Sequence, residues 1–409
     1  MPLDRRSFVA ATAGLAASAA GIRTEPAAGP TVPPHATGPD DPLGVRADFP
    51  IVADRHYLNS AYIAPIPRPV LDAGREFLER KSLQSLQVGD LLRKNSEVRS
   101  QFAALINASP DEIALLYTTA EGENIVANNL DWATGDNVVI DELHYDSEFV
   151  IYRALEARRG VELRIVKHRD GAVAASDFEP HVDRRTRLVS VAWVSHQNGF
   201  RHDMRPIADL AHAHGALFYT DAIQAVGMFP IDVRASGVDF LCSGTYKWLL
   251  SGFGVAPFFI RRELLERLSQ DRFGEFSVER NLPDHRYELY RTARRFDYAS
   301  QAFAEVHMLN ASLKYLEHVG VARIEAHTID LARRLQEGLT GQGHKMFTPP
   351  GNRSSIVTFY PTRSADEIRT AFTAARLEAT VRDGQVRVSP ALFNTVDDVE
   401  RFLAATRRI

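Results

Sequence analysis

Two short apolar runs near the middle of the chain each lead into a charged residue, and this arrangement limits the possible folds more than any other feature. Residues 217–220 lead into Asp221, and residues 238–242 lead through a glycine-containing segment to Lys247. Alternating strand-like and helix-like segments precede them, which predicts a mainly parallel, doubly wound α/β sheet. Ligands of such sheets lie beyond the carboxyl ends of the strands, so we expect Asp221 and Lys247 to face one pocket.

An amine beside a fixed carboxylate is the combination that pyridoxal 5'-phosphate (PLP) requires. The lysine forms a Schiff base with the cofactor, and the aspartate keeps the pyridine nitrogen protonated so that the ring accepts electrons. An isolated lysine is usually a surface charge, and an aspartate after a strand is often a helix cap. Lys247 differs from a surface lysine because it lies between Tyr246 and Trp248, just before the glycine-rich residues 251–254.

The motifs D-A-I-Q-A-V-G and V-D-F-L-C-S-G-T-Y-K-W-L-L-S-G-F-G resemble the centre of the class V aminotransferase family. This family of fold-type I PLP enzymes includes cysteine desulfurases, kynureninases and isopenicillin N epimerase-like proteins, and the resemblance extends from about Phe49 to the C-terminus. It implies a fold-type I PLP-transferase with a large doubly wound domain and a small C-terminal α+β domain. It also implies a homodimer with its sites at the interface.

Residues 1–45 are predicted to be an export signal and a linker, residues 46–300 the large PLP-binding domain, and residues 301–409 the small domain. Arg5 and Arg6 precede a mildly apolar, alanine-rich run, as in a twin-arginine signal. The alternative is a disordered tail with a chance arginine pair. The run is too short and too weakly apolar for a stable membrane span. We therefore expect the twin-arginine export machinery as a partner and a periplasmic location, or a cytoplasmic one if the signal is not used.

Composition excludes several classes of function. The formal charge of −4 provides no basic surface for nucleic acid or an anionic membrane. The single cysteine, Cys242, excludes an internal disulfide and any multi-cysteine metal site. The resemblance implies that a cysteine desulfurase needs a mobile nucleophilic cysteine well after the lysine, and this sequence has none there. Cys242 is expected to be a small buried hydrophobic residue.

The cofactor phosphate is expected at a turn of small residues that opens a helix, because free backbone N–H groups and the helix dipole favour an anion there. Residues 118–124 form such a turn, and their similarity to the family's T-x-E-x-x-N motif implies phosphate contacts from Thr119 and Ala120. The family stacks an aromatic or histidine ring on the cofactor after the next strand. His144 and Tyr145 are both candidates, and Tyr145 is favoured.

The resemblance implies further cofactor contacts, and for His196 and Asn198 a turn role is the alternative. His196, Asn198 and Gln224 are candidates for the phenolic oxygen of the cofactor. Tyr246, Ser243 and Thr245 are candidates for its phosphate. Ser300 replaces a family threonine that reaches the phosphate of the neighbouring subunit.

Substrate binding is assigned to the two ends of the folded region. The C-terminal V-R-V-S-P-x-x-x-N-T-x-x-D-V segment resembles a family signature whose arginine binds the substrate carboxylate, which makes Arg387 the candidate. The planar guanidinium grips a carboxylate with two hydrogen bonds. Asn59 is expected either to contact the substrate or to stabilise a turn.

The sequence predicts an enzyme that acts on a small amino substrate through Lys247, with PLP as cofactor. Transamination is the first prediction. An epimerase, or a lyase that cleaves a C–S or C–C bond, is the alternative, because all these reactions begin with the same substrate carbanion. A non-catalytic binding protein on the same fold is disfavoured, because Asp221, Gln224, Lys247 and Arg387 are all present.

Overall fold

The chain is seen in a computed structural model that describes Gly38, residues 41–382 and residues 384–407. The helices are α1 (Arg68–Leu83), α2 (Val88–Leu105), α3 (Thr119–Asn129), α4 (Asp146–Arg159), α5 (Ala175–Phe178), α6 (Met204–Ala213), α7 (Val233–Ser236), α8 (Phe303–Val319), α9 (Val321–Gly341), α10 (Ala365–Ala374) and α11 (Val396–Thr406). The strands are β1 (His56–Tyr57), β2 (Ile113–Leu116), β3 (Asn137–Asp141), β4 (Glu162–Val166), β5 (Thr186–Ala192), β6 (Leu217–Asp221), β7 (Phe240–Cys242), β8 (Ala256–Ile260), β9 (Val278–Asn281), β10 (Tyr287–Leu289), β11 (Lys345–Met346), β12 (Val357–Tyr360), β13 (Leu377–Glu378), β14 (Thr380–Arg382) and β15 (Gln385–Val388).

A seven-stranded sheet forms the centre of the molecule, in the order β2-β8-β7-β6-β5-β3-β4. The five strands from β7 to β4 in that order are parallel, and β8 is antiparallel to both of its neighbours. Strands such as β5 are almost continuously apolar and buried, as expected when helices cover both faces of a parallel sheet. The predicted fold class, a fold-type I α/β fold with a mainly parallel sheet, is confirmed.

One apolar core joins this sheet to α3 and α4. Ile125 on α3 and Leu155 on α4 pack in the same buried cluster as Val138, Leu188 and Phe240 from the strands. The helical spacing of apolar residues therefore fixes α3 and α4 against the sheet. Their N-termini begin just after β2 and β3, and so they carry the residues that follow those strands to the site.

A smaller antiparallel sheet, in the order β11-β12-β15-β14, lies in the C-terminal part of the chain. Its own core is built from α9, α10 and α11 against the sheet, and Leu58 from the N-terminal segment joins it. The strand β1 pairs with β13, and Arg46 forms an ion pair with Asp398 at 2.7 Å. The N-terminal segment, which we predicted to accompany the large domain, thus pairs with the C-terminal region.

The twin-arginine signal, the export that it implies and the homodimer stay predictions. The predicted twin-arginine segment lies outside the described residues, and the prediction of export depends on that segment alone. The homodimer concerns a second copy of the chain. Within the described residues, no helix has the length and apolar character needed to cross a membrane.

The edge of the main sheet depends on a buried ion pair between Arg99 on α2 and Asp297. Asp297 also accepts a hydrogen bond from the Leu115 backbone N–H at 2.8 Å, so one carboxylate joins α2 to β2. We expect Arg99→Ala to lower the free energy of unfolding by about 3–5 kcal/mol, because it leaves an uncompensated buried charge. Urea denaturation measures this change.

The exposed pair of Arg93 and Asp90 provides the control. Arg93→Ala is expected to change the free energy of unfolding by less than about 1 kcal/mol, since surface ion pairs contribute little. Equal effects of the two substitutions would contradict the structural role assigned to the buried pair.

Candidate active site

A cavity of about 280 Å³ lies at the carboxyl ends of β6 and β7. Its walls come from the turn before α3, the first turn of α4, the end of β6 and the segment around the lysine. The lining residues are Tyr117, Thr118, Thr119, Ala120, Tyr145, Glu148, Asp221, Ile223, Gly244, Tyr246, Lys247, Phe253, Gly254 and Val255. The predicted pair of Asp221 and Lys247 therefore shares one cavity.

Lys247 lies in a tight turn after β7. The Leu250 N–H donates to the Lys247 carbonyl at 2.9 Å, and Leu250 has a φ of 54°, in the left-handed region that a leucine rarely adopts. The Lys247 side chain is almost fully buried. Burial lowers its pKa to about 8; the nearby Arg387 acts in the same direction and Asp221 opposes them. The unprotonated amine that a nucleophile or base requires is therefore much more populated near neutral pH than in an ordinary lysine.

Asp221 terminates β6 and is 4% exposed. Its Oδ1 accepts a hydrogen bond from the Ile223 N–H at 2.9 Å, which fixes the carboxylate orientation. Burial raises its pKa to about 6, while the Ile223 N–H and the Lys247 charge lower it. The carboxylate is thus mostly ionised at neutral pH and presents an anion to the cavity.

The other end of the cavity is the N-terminus of α3. Thr118 caps this helix and accepts a hydrogen bond from the Glu121 N–H at 3.2 Å. The Thr119 hydroxyl accepts from the Gly244 N–H at 2.9 Å, which holds the lysine segment against the helix. A Cβ on Gly244 would lie 2.9 Å from Ile223 Cδ1 and 3.0 Å from Thr119 Oγ1. The first-turn N–H groups at Thr119 and Ala120 are placed to hold a phosphate.

The two candidates for the ring that covers the cofactor, His144 and Tyr145, have different surroundings. Tyr145 lines the cavity and meets the His196 ring edge to face, with 5.0 Å between the centroids. His144 is fully buried: its Nδ1 accepts from the Tyr145 N–H and its Nε2 lies 3.0 Å from Ser190 Oγ. The geometry therefore favours Tyr145 over His144, whose side chain turns into the protein, and the ring that covers the cofactor stays a prediction.

Three further residues that we predicted to contact the cofactor bond the protein itself, and their cofactor contacts stay predictions. Asn198 Nδ2 donates to the Gly171 carbonyl at 2.7 Å, and Thr245 Oγ1 donates to the Gly252 carbonyl at 2.7 Å. Ser243 is fully buried, and its hydroxyl donates to the Gly244 carbonyl at 3.2 Å. These side chains fix the loops around the cavity.

Two other candidates also have protein partners. Gln224 donates to the Ala61 carbonyl and accepts from Trp248 Nε1, both at 2.8 Å. Ser300 accepts a hydrogen bond from the Tyr117 hydroxyl through its backbone carbonyl, at 2.8 Å. Neither residue lines the cavity, and the predicted cofactor contact of Gln224 stays a prediction. The predicted reach of Ser300 to a neighbouring subunit stays a prediction.

Arg387 lies on β15 and is 6% exposed. It donates to the His196 carbonyl at 2.6 Å and to Thr380 Oγ1 at 3.3 Å, while its Nε has no hydrogen-bond partner. Asn59 reaches this cluster by accepting from Thr380 Oγ1 at 2.7 Å. No ion pair of Arg387 occurs in the described part of the chain. A buried, uncompensated guanidinium fits an anionic substrate group.

His196 contacts both Tyr145 in the cavity wall and Arg387. Burial, together with the nearby charges of Arg387 and Lys247, lowers its pKa to about 2. The ring is therefore neutral, and its buried Nδ1 has no partner. His196, like Arg387, does not line the cavity itself but lies between the cavity wall at Tyr145 and the arginine.

The fold and the site define the class of protein. A profile of the aminotransferase class-V family matches residues 56–402. A probable cysteine desulfurase of Methanothermobacter thermautotrophicus is 31% identical over 322 residues, 77% of this chain and 80% of that protein. The uncharacterized aminotransferase YcbU of Bacillus subtilis is 26% identical over 88% of this chain and 95% of its own.

A solved structure has the same fold. The complex of the cystine C–S lyase C-DES with its product cysteine persulfide superposes with a TM-score of 0.82 at 19% identity, and the match covers 88% of this chain and 99% of the other. The chain belongs to the class V aminotransferase family, a family of PLP-dependent enzymes. The residues present fit that cofactor: an amine, a buried carboxylate and a helix N-terminus surround one cavity.

The sequence prediction missed an acidic residue of the cavity. Glu148 lines it and is 1% exposed. It lies in the first turn of α4, three residues after Tyr145. That spacing is the available signal, because residues three apart at a helix start lie close on one face.

The pH dependence of stability tests the environment of Lys247 in cofactor-free protein. The pKa of this amine is about 8 in the folded protein, against 10.5 for an ordinary lysine, so between these values the unfolded chain binds more protons. Relative to Lys247→Met, the wild type should gain on the order of 2 kcal/mol in unfolding free energy from pH 8 to pH 10.5. Denaturant titrations of both proteins at several pH values measure the difference, and a flat difference would contradict a buried amine.

Proposed function

We propose that this protein is a PLP-dependent C–S lyase, which cleaves a sulfur-containing amino acid by β-elimination without a thiol nucleophile of its own. This replaces transamination, our first prediction from sequence, by its alternative. Two observations support it. Relatives and structural neighbours are named for carbon–sulfur chemistry. The observation that carries the proposal is the position of the only thiol.

That thiol cannot receive sulfur from a substrate. Cys242 lies on β7 at 0% exposure, with Sγ facing the Thr118 carbonyl at 3.8 Å. Burial raises the pKa of the thiol well above its usual value. A Cβ on Gly122 would lie 2.7 Å from Cys242 Cβ, so α3 packs closely over it. The sulfur must therefore leave with a fragment of the substrate.

Within the described residues, the strands beside the proposed substrate arginine leave little room for a loop that carries a second nucleophile. The strand β14 ends at Arg382 and β15 begins at Gln385, and the two pair as antiparallel neighbours. Only residues 383–384 connect them. Arg387 lies on β15, so the proposed carboxylate-binding end of the site is built on this antiparallel strand pair.

The side chains have distinct roles in the proposed reaction. Bound PLP supplies the electron sink that makes the substrate α proton acidic. Lys247 removes that proton, since its lowered pKa of about 8 makes the unprotonated amine far more available near neutral pH than in an ordinary lysine. Asp221 holds a proton on the ring nitrogen. Arg387 and Thr380 orient the substrate carboxylate.

The net reaction consumes one water. The Cα–H and Cβ–S bonds break, the sulfur leaves with its electron pair and takes up a proton, and the remaining three-carbon unit is released as a 2-oxo acid and ammonium. No external oxidant or reductant is needed. A desulfurase would instead release alanine and leave the sulfur on an enzyme thiol.

Transamination is the second candidate, favoured by the similarity to the aminotransferase YcbU over 88% of this chain. It shares the first proton transfer at Lys247. It differs in that the amino group stays on the cofactor and no bond to sulfur breaks. The epimerase alternative would return the proton to the opposite face of the α carbon.

Products from cystine or an S-substituted cysteine distinguish these reactions. We expect pyruvate, ammonium and a thiol or persulfide in equal amounts, measured by a coupled dehydrogenase assay and thiol titration. Alanine with sulfide would indicate a desulfurase. Conversion of the cofactor to its pyridoxamine form would indicate transamination, and α-proton exchange alone an epimerase.

The matched variant is Cys242→Ala. Because the thiol is buried on β7 and outside the cavity lining, its turnover should stay within about threefold of wild type, a change of less than about 1 kcal/mol in the barrier. Loss of turnover in a folded Cys242→Ala protein, judged by its bound cofactor, would contradict the proposal.

A further inference from the structure

Glu148 is an acid in the cavity wall for which the reaction above assigns no role. It lies in the first turn of α4, is 1% exposed and shares the cavity lining with Asp221. Its Oε2 is buried and has no hydrogen-bond partner. Within the part of the chain that the structure describes, no ion pair involves this carboxyl. A buried carboxylate with neither a donor nor a cation would be strongly destabilising.

A second acid lies behind it. Glu123 on α3 is fully buried; its Oε1 accepts from the Tyr152 hydroxyl and from Ser190 Oγ, while its Oε2 has no partner. The Tyr219 hydroxyl, on β6 two residues before Asp221, is also buried without a partner. Glu148, Glu123 and Tyr219 thus each have one buried polar atom without a partner. These groups and Asp221 are close enough to influence one another electrostatically.

The protonation of this cluster follows from its surroundings. Burial is the main cause that raises the pKa of Glu148, and the charges of Glu123 and Asp221 raise it further. Burial likewise raises the pKa of Glu123, against the two hydrogen bonds that it accepts. Asp221 is the one acid of the three with a backbone N–H donor and the influence of the Lys247 charge. It is therefore the one that ionises first.

We propose that Glu148 is a positioning residue of the cofactor end of the cavity: it stays protonated in the working enzyme and supplies a hydrogen-bond donor beside Asp221. The cavity floor then carries one negative charge, that of Asp221, which is the charge that a protonated ring nitrogen neutralises. If Glu148 were also ionised, the cavity would carry a second negative charge that the ring nitrogen does not neutralise. The proposal concerns the cofactor site and is independent of which reaction follows.

Infrared difference spectroscopy of the holoenzyme tests the protonation state directly. Spectra of wild type and Glu148→Gln are compared at neutral pH. We expect the variant to lose intensity in the carbonyl band of a protonated carboxyl. Loss of intensity in the carboxylate bands instead would show that Glu148 is ionised and would overturn the proposal.

PLP affinity tests the donor. Glutamine keeps a neutral donor at this position, whereas leucine removes it at similar volume. We expect Glu148→Leu to weaken PLP binding about tenfold and Glu148→Gln less than about threefold, as for loss and retention of one hydrogen bond near a charged group. Equal affinities of the two variants, measured by absorbance of the bound cofactor, would overturn the donor role. If the leucine variant does not fold, the infrared comparison still decides.

Glu123→Gln is the matched control. Glu123 lies in the same acidic cluster but does not line the cavity. Glutamine retains the acceptor for Tyr152 and Ser190. Because burial raises the pKa of Glu123, the spectrum of this variant should also lose intensity in the protonated-carboxyl band. Its PLP affinity should stay at the wild-type value. A loss of affinity equal to that of Glu148→Leu would assign the effect to the buried cluster as a whole and would contradict a specific role for Glu148.

Discussion

The electrostatic pairing of Asp221 with Lys247 is the interaction on which the site depends. Both side chains are buried, and burial raises the pKa of Asp221 and lowers that of Lys247, which favours the neutral form of each. Each charge opposes that shift in the other. The pair is held in place by the sheet, because β6 and β7 are parallel and register places Asp221 opposite Cys242, just before the lysine segment. A change in strand register would separate the two charges and remove the site.

The residues predicted correctly to face one cavity are those whose position follows from the ends of strands and helices. Asp221 ends β6, Thr119 and Ala120 begin α3, and Tyr145 precedes α4. Strand ends and helix starts can be recognised in sequence from apolar runs and capping residues. Their direction relative to the sheet is then fixed by the parallel topology.

The sequence does not indicate side-chain direction within loops. His144 and Tyr145 are adjacent, yet one contacts Ser190 in the core and the other lines the cavity. Asn198 and Thr245 donate to backbone carbonyls of the surrounding loops, and the partner of Asn198 is distant in sequence. Such partners come from tertiary packing, which a single sequence does not encode locally. Glu148 was missed for the converse reason, since an acid in a first helical turn is ordinary at the surface.

Unpartnered polar atoms of the described residues occur at both ends of the site. Arg387 Nε and His196 Nδ1 mark the substrate end, and Glu148 Oε2 marks the cofactor end. Buried polar groups without partners reduce stability, and native proteins keep few of them. In the proposed reaction, a bound cofactor and an anionic substrate would supply hydrogen-bond partners for these three groups.

Covalent mapping of the cofactor tests the central claim most directly. The yellow holoenzyme is treated with borohydride, which fixes a Schiff base as a stable amine, then digested and analysed by mass spectrometry. The account predicts that the added mass lies on Lys247 alone and that Lys247→Ala protein takes up no label. Label on another lysine, or equal labelling of the Lys247→Ala protein, would contradict it.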